Sequence, residues 1–330
     1  MSTIKKDDYY WSDEKEPHVL RRREILKAHP EIKELFGTNP MLAVSSTFWV
    51  AVQVFIALNI HRLFDPTFLG LETWQAWLAF VGITYIIGGT IAHALFLAVH
   101  EITHFMAFEA KWANNVLSFV AQIPILFPYA MSFQYYHGIH HWSQGKDGDD
   151  ADIPLQGEAK LFTGVFGKFI WYINQIFFYA LRPMFVKKIP INKWSIANMI
   201  FTVCTTAAIL YFTIGIGNGF YGIFFLLLAL FFAGGLHPSS GHFISEHYVF
   251  DEGQETYSYY GPLNLVNYNV GYHNEHHDFP NVPGRRLPKV RAIAPEFYND
   301  LKHYNSWISV IWKFLTTKEV TLYSRTKRKN

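Results

Sequence analysis

The chain has 330 residues, half of them hydrophobic and 18% aromatic, with only 16% charged and a formal net charge of +2. That charge content falls below the roughly 25% of an ordinary soluble domain. With its apolar residues bunched in long runs, the composition excludes a soluble globule, and the small net charge excludes a nucleic-acid-binding surface.

The first forty residues are charged, with Lys5, Lys6, Asp7, Asp8 and the run Arg21-Arg22-Arg23. They contain no apolar core of a cleavable signal peptide, and Ser2 rules out an N-myristoyl glycine. The pattern predicts a solvated cap over 1–40, with a short helix from Arg21 to Phe36 broken at Gly37. Four apolar segments follow, at about Met41–Ile60, Trp74–Val99, Ile196–Gly215 and Phe220–Leu236. Each approaches the roughly 20 residues that cross a hydrocarbon core. The fourth is short and is expected to continue into the polar stretch after it. Cys204, the one cysteine, falls in the third segment; it forms no internal disulfide and reads as a small packing residue.

The linkers at 61–73 and at the Gly217-Asn218-Gly219 turn are short, which predicts two helical hairpins. Between the hairpins, Val116–Met131 is interrupted by Pro124 and Pro128. Leu161–Val186 carries Lys168, Asn174, Gln175 and Arg182, all costly at mid-membrane. Both stretches are expected to lie in the membrane interface. Lysine and arginine concentrate in the cap, in 132–195 and in the tail from Arg285 to Lys329. The positive-inside rule then puts both termini in the cytosol, with the segments 100–195 and 237–330. The expected fold is an all-α integral membrane domain over 41–330, with four transmembrane helices in two hairpins, a cytosolic histidine-rich cap and interfacial helices.

Histidines cluster three times: His100 and His104 in HEITH, His137, His140 and His141 in HGIHH, and His273, His276 and His277 in HNEHH. On a helix, residues at i and i+4 face the same way, so both imidazoles of HEITH can reach one ion. The HxxHH spacing supplies two such directions and can serve adjacent ions. Two predicted crossings separate His104 from His273 and none separates His104 from His141, so all three clusters emerge on one membrane face. Eight imidazoles without a nearby cysteine disfavour a structural zinc site, and calcium and magnesium prefer oxygen. Eight or nine nitrogens exceed one ion's shell and imply two metals, with zinc, copper, nickel and iron all open. A ninth ligand is expected in the stretch Leu236–Tyr248, where His247 is favoured over His242, and His237, followed by Pro238, reads as a turn or packing residue. His93 reads as a polar group facing the bundle.

Glu101, Asp149, Asp150, Asp152, Glu246, Glu275 and Asp278 are candidates to hold a ligating imidazole from behind. Among these, Glu101, Asp152, Glu246 and Glu275, with His242, are kept as possible ligands as well. No catalytic residue is assigned beyond the metal ligands. His18, His29, His61 and His303 show no clustering and read as ordinary interfacial residues.

With these motifs in view, the chain resembles the membrane fatty-acid desaturase and hydroxylase superfamily, and within it the sphingolipid delta-4 desaturase family (dihydroceramide desaturases). The resemblance covers nearly the whole chain. It rests on PHVLRRREILKAHPEIKELFG, HEITH, HGIHH followed by DADIP, GHFISEHYVF, ETYSYYGPLNLVNYNVGYHNEHHDFPNVPG and YNSWI.

The resemblance implies two iron ions held by His100, His104, His137, His140, His141, His273, His276 and His277, with His247 as the ninth ligand. It implies dioxygen as co-substrate and electrons from a separate cytochrome b5 with its NAD(P)H-dependent reductase. The implied reaction is 4,5-trans desaturation of the sphinganine chain of N-acyl sphinganine (dihydroceramide) to ceramide, in the endoplasmic reticulum membrane. The sequence His237-Pro238-Ser239-Ser240 departs from the HPGG haem motif of fused cytochrome b5 domains, so the donor is expected to be a separate protein. C4 hydroxylation of the same substrate, or oxidation of a fatty-acyl or sterol substrate, are the alternatives within the superfamily. A histidine-rich metal transporter is the alternative outside it.

Overall fold

The structure, a computed structural model, describes residues 7–216 and 219–329. Ser2, Lys5, Lys6 and the Gly217-Asn218 pair of the predicted turn lie outside the described residues. The chain divides into two compact units, one of Pro40–Phe133 and Pro190–His237, the other of Met1–Asn39, Gln134–Ile189 and Pro238–Asn330.

The first unit is built on the long apolar helices Met41–Phe64, Thr73–Thr103 and Lys193–Gly215 and on the stretch up to His237 of a fourth, Tyr221–Ser245. The shortest has 23 residues, about 35 Å at 1.5 Å per residue, enough to cross a core near 30 Å thick. The chain is therefore a multi-pass membrane protein. The fourth helix continues beyond its apolar part as expected, with a break where Pro238 opens a 3-10 turn, Pro238–Gly241, before the helical turn His242–Ser245.

Small residues let the second and fourth helices approach closely, since a Cβ on Gly88 would come within 2.8 Å of the Phe225 ring and within 3.0 Å of Ala229. Polar side chains inside the spans bond to backbone, Gln53 to the Gly88 carbonyl at 3.3 Å and His93 Nδ1 to the Ala233 carbonyl at 2.9 Å. Phe55, Leu78, Ile86, Val203 and Phe212 face outward and are exposed, the surface that lipid covers. Cys204 lies on this outer surface too, rather than in a packed contact, because the third helix buries little of its circumference.

The prolines of 116–131 act as predicted on the helix. Helix Lys111–Ile125 and helix Ala130–Trp142 meet at a bend of 113°. Leu126 takes a left-handed conformation, φ 65°. The Gln122 side chain stitches the bend, accepting from the Ala130 amide and donating to Thr202 Oγ1, each at 3.0 Å.

The second unit corrects the reading of the N-terminal segment. Glu16 caps a helix over Pro17–Ala28, accepting from the His18 and Val19 amides, and Pro17 occupies the first helical position. The helix begins four residues before Arg21 and stops before Pro30, which opens the 3-10 turn Pro30–Leu35, rather than at Gly37. Ile25 and Ile32 pack in a core with Phe279, Leu287, Val290 and Tyr298, so the segment is integrated and not a solvated cap.

In 161–186 the charges turn inward instead of reaching for water. The Lys168 ammonium donates to the carbonyls of Phe314, Thr317 and Val320. Arg182 grips Glu158 with two bonds of 2.7 and 2.9 Å, while Leu161, Val165, Phe166 and Phe185 are exposed. Two short parallel strand pairs complete the unit, Tyr10–Trp11 with Thr326–Lys327 and Ser258–Tyr259 with His303–Tyr304.

Candidate metal centre

In the second unit, three separate segments bring seven histidines together. Helix Ala130–Trp142 presents His137, His140 and His141 within about one turn. Helix His273–Asp278 presents His273, His276 and His277. Its start is fixed by a tight approach in which Tyr268 and Asn269 are both left-handed, and a Cβ on Gly271 would strike Asn264 Oδ1 and the Tyr259 carbonyl. His247 follows directly after the turn His242–Ser245.

Each box divides its imidazoles between two groups. In one, His141 Nε2 lies 3.0 Å from His137 Nε2 and 3.1 Å from His276 Nε2. In the other, His247 Nε2 lies 3.0 Å from His140 Nε2 and 2.8 Å from His273 Nε2. The ligand atoms of His140, His247 and His277 lie within 4.8 Å of one another, and all three residues are buried.

These contacts test whether a metal fits. A ring nitrogen of a neutral imidazole carries one proton or one lone pair, enough for a single partner, yet His141 and His247 each face two other Nε2 atoms. His277 Nε2 is buried and has no hydrogen-bond partner. Burial, followed by the neighbouring imidazoles, holds His247 and His277 well below the ordinary imidazole range, so both are neutral donors. Convergent neutral nitrogens with an orphan among them suit a cation, and imidazole-only sets suit transition metals.

The outer contacts are as specific. Asp150 sits 3.1 Å from His140 Nδ1 and is itself held by the amides of Gly145 at 2.7 Å and Asp152 at 2.9 Å. Burial alone would push His140 down, but the Asp150 carboxylate outweighs it and raises it. Glu246 Oε1 approaches His273 Nδ1 at 3.3 Å. The other acids point elsewhere: Asp152 to Arg325 at 2.5 Å, Asp149 to Lys187 at 2.5 Å, and Glu275 to Ser258 and Tyr260 at 2.8 and 2.7 Å.

His242 stands apart from both groups, with Nδ1 3.3 Å from the Ser239 carbonyl and its ring against Phe243. In the membrane unit, His100 and His104 close the second helix with ring centroids 5.5 Å apart. Glu101 is buried beside them. His237 is buried too, with Nε2 3.1 Å from Thr90 Oγ1.

One histidine departs from its expected place. His18 is not interfacial: it is 4% exposed, bonds Asp278 at 2.7 Å and Thr256 Oγ1 at 3.0 Å, and its ring lies 4.9 Å from that of His277. Arg21 holds the same Asp278 at 2.7 Å. The signal available was the segment PHVLRRRE itself, whose His and Arg fall three residues apart on one helical face.

Apolar spans together with imidazole-rich clusters make this a membrane protein able to hold metal ions, and residues 75–308 match the model of the fatty acid desaturase family. Residues 5–41 match a second model, described as sphingolipid delta-4 desaturase. The chain is similar to the sphingolipid delta(4)-desaturase DES1-like protein of Oryza sativa subsp. japonica, 45% identical over 98% of this chain and 93% of the relative. Similarity extends to sphingolipid delta(4)-desaturase DES1 of Homo sapiens, 44% identical over 99% of this chain and 97% of the relative. For the Drosophila melanogaster protein of that name the identity is 43%, over 99% and 97%. The chain belongs to the sphingolipid delta-4 desaturase family, within the fatty acid desaturases, and is an oxidoreductase.

Proposed function

We propose that the chain introduces the 4,5-trans double bond into the sphinganine chain of N-acyl sphinganine, giving ceramide. The observation that carries this reading is the meeting of seven imidazoles from three segments in a chain 44% identical to a sphingolipid delta(4)-desaturase over nearly its whole length.

Two iron ions are the proposed cofactor, held by His100, His104, His137, His140, His141, His247, His273, His276 and His277. An unactivated methylene has no acidic hydrogen, so acid–base chemistry cannot attack it; a bound metal pair supplies the one-electron chemistry with dioxygen that can. The chain's own residues prepare for this. Burial keeps His247 and His277 neutral, Asp150 fixes the His140 tautomer through Nδ1, and Glu246 lies 3.3 Å from His273 Nδ1. Electrons come from a separate cytochrome b5 and its NAD(P)H-dependent reductase.

In this reading the spans form two hairpins in the endoplasmic reticulum membrane, with both termini and all histidine boxes on the cytosolic side. The sharp bend between Lys111–Ile125 and Ala130–Trp142 supports it, because a straight crossing there would send HEITH and HGIHH to opposite faces.

The test is lipid analysis of cells that lack this activity and are given the chain, fed N-acyl sphinganine or fatty substrates. The expected product is the 4,5-trans sphingoid base. A double bond found only in the fatty substrates, or only 4-hydroxylated product, overturns the assignment.

A further inference from the structure

The segment 322–328 is basic, yet it is not a solvated tail. Arg325 and Arg328 are 2% and 6% exposed. A buried guanidinium is tolerated only when its charge and donors are paired, and here the carboxylate partner of Arg325 leads to the metal centre. The Arg325 guanidinium lies 2.5 Å from Asp152 Oδ2 and donates to the Asp152 carbonyl at 3.0 Å. The Asp152 amide donates to Asp150, and Asp150 faces His140 Nδ1. Three links therefore separate Arg325 from a ring in the enclosed imidazole group.

The backbone repeats the connection on both sides. The Arg328 amide donates to the Gly145 carbonyl at 2.7 Å, and the Asp147 amide donates to the Arg328 carbonyl at 2.9 Å, fastening the loop that follows HGIHH. The Val249 amide, two residues past His247, donates to the Ser324 carbonyl at 2.9 Å. Arg328 also donates to the Gln144 carbonyl at 3.1 Å and pairs with Glu255 at 2.5 Å. Between these groups lies a cavity of about 10 Å³, room for about one water molecule, bounded by Gln144, Asp150 and His247 on one side and by Arg325, Thr326 and Arg328 on the other.

We propose that residues 324–328 form a latch on the metal centre. Arg325 is a positioning residue that fixes His140 through Asp152 and Asp150, and the segment walls the small cavity beside His247. This inference rests on the reading above that His140 and His247 hold metal.

The experiment measures iron content and the rate of iron loss to a ferrous chelator in the purified full-length holoenzyme, alongside its thermal unfolding. Arg325→Met is expected to lose iron on the order of 10–100-fold faster, the usual cost of removing an outer support of a metal ligand, with a loss larger than any shift in unfolding accounts for. Arg325→Lys, which restores a cation opposite Asp152, is expected to recover much of the retention. Should Arg325→Met fail to accumulate, Arg328→Gln, which keeps a polar reach to Gln144, carries the same test with a smaller acceleration. Wild-type iron retention in both Met and Gln variants overturns the latch while leaving the metal centre intact, as does iron loss that merely tracks global unfolding. Iron-free, active wild-type enzyme overturns the centre itself and the latch with it.

Discussion

The two imidazole groups draw on the same two boxes, one of them with His247 added, yet they sit in different surroundings. His137 and His141 are half-buried, with His276 the buried member of their group, while His140, His247, His273 and His277 are all buried. A half-buried ring can trade hydrogen bonds with water, so its orientation needs less from the protein. The enclosed rings have no such recourse, and the chain surrounds them accordingly. Asp150 stands behind His140, Glu246 behind His273, and Thr256 Oγ1 lies 3.5 Å from His247 Nδ1. The difference teaches that a histidine box is only the inner layer of a centre, and that the outer layer is paid out by distant segments of the chain.

The largest expected effect removes a ring from either group. His140→Ala and His276→Ala should each abolish turnover while the protein remains in the membrane, because the spans do not depend on these rings. Product analysis with an immunoblot of the membrane fraction reads both. The comparison sharpens in the metal content. His140→Ala removes a ring from the group whose members are all buried and leaves Asp150 without its imidazole partner, so it should lower bound iron more than His137→Ala. Equal iron in the two variants would erase the distinction between the groups.

A smaller effect concerns the scaffold around the enclosed group. Arg182 and Glu158 are both buried and joined by two hydrogen bonds. Arg182→Met strands the carboxylate, which costs on the order of 3–5 kcal/mol. Thermal unfolding of the detergent-solubilised protein should shift down clearly, and Arg182→Met with Glu158→Leu together should restore much of the loss. An unchanged unfolding curve in the single variant would contradict the structural role assigned to this pair.

The span unit and the histidine boxes were legible in the sequence for a physical reason: both are local signals. About 20 apolar residues in a row announce a crossing, and HxxHH announces rings on one helical face. Proline at 124 and 128 likewise announced a break that the structure shows as a bend. What stayed hidden depends on partners far apart in the chain. His18 meets Asp278 across 260 positions, and Arg325 meets Asp152 across 173. The internal partners of Lys168 and Arg182 were equally hidden, because hydropathy has no way to register three carbonyls or a carboxylate waiting inside. Among seven acid candidates the sequence reading keeps Glu101, Asp152, Glu246 and Glu275; geometry instead sets Asp150 and Glu246 beside imidazoles, while Asp152 pairs with Arg325 and Glu275 serves Ser258 and Tyr260.

The smallest effect is expected at His242, and it separates two readings of one short stretch. His242 and His247 lie five residues apart, so a helix carrying both would point them in different directions. The chain follows that logic. The turn His242–Ser245 ends before His247, whose Nε2 meets two other imidazoles, whereas the His242 ring rests on Phe243 with its centroid 3.9 Å away and Nδ1 near the Ser239 carbonyl. His242→Ala removes packing and a backbone contact, an effect of roughly 1–2 kcal/mol, and should leave iron content at the wild-type value with turnover reduced less than tenfold. His247→Ala should lose both iron and turnover. Iron analysis of the two purified variants decides the matter: if His242→Ala were the one to lose metal, the ring now resting on Phe243 would have to swing into the centre when iron binds, and the enclosed group as described would not be the one that holds it.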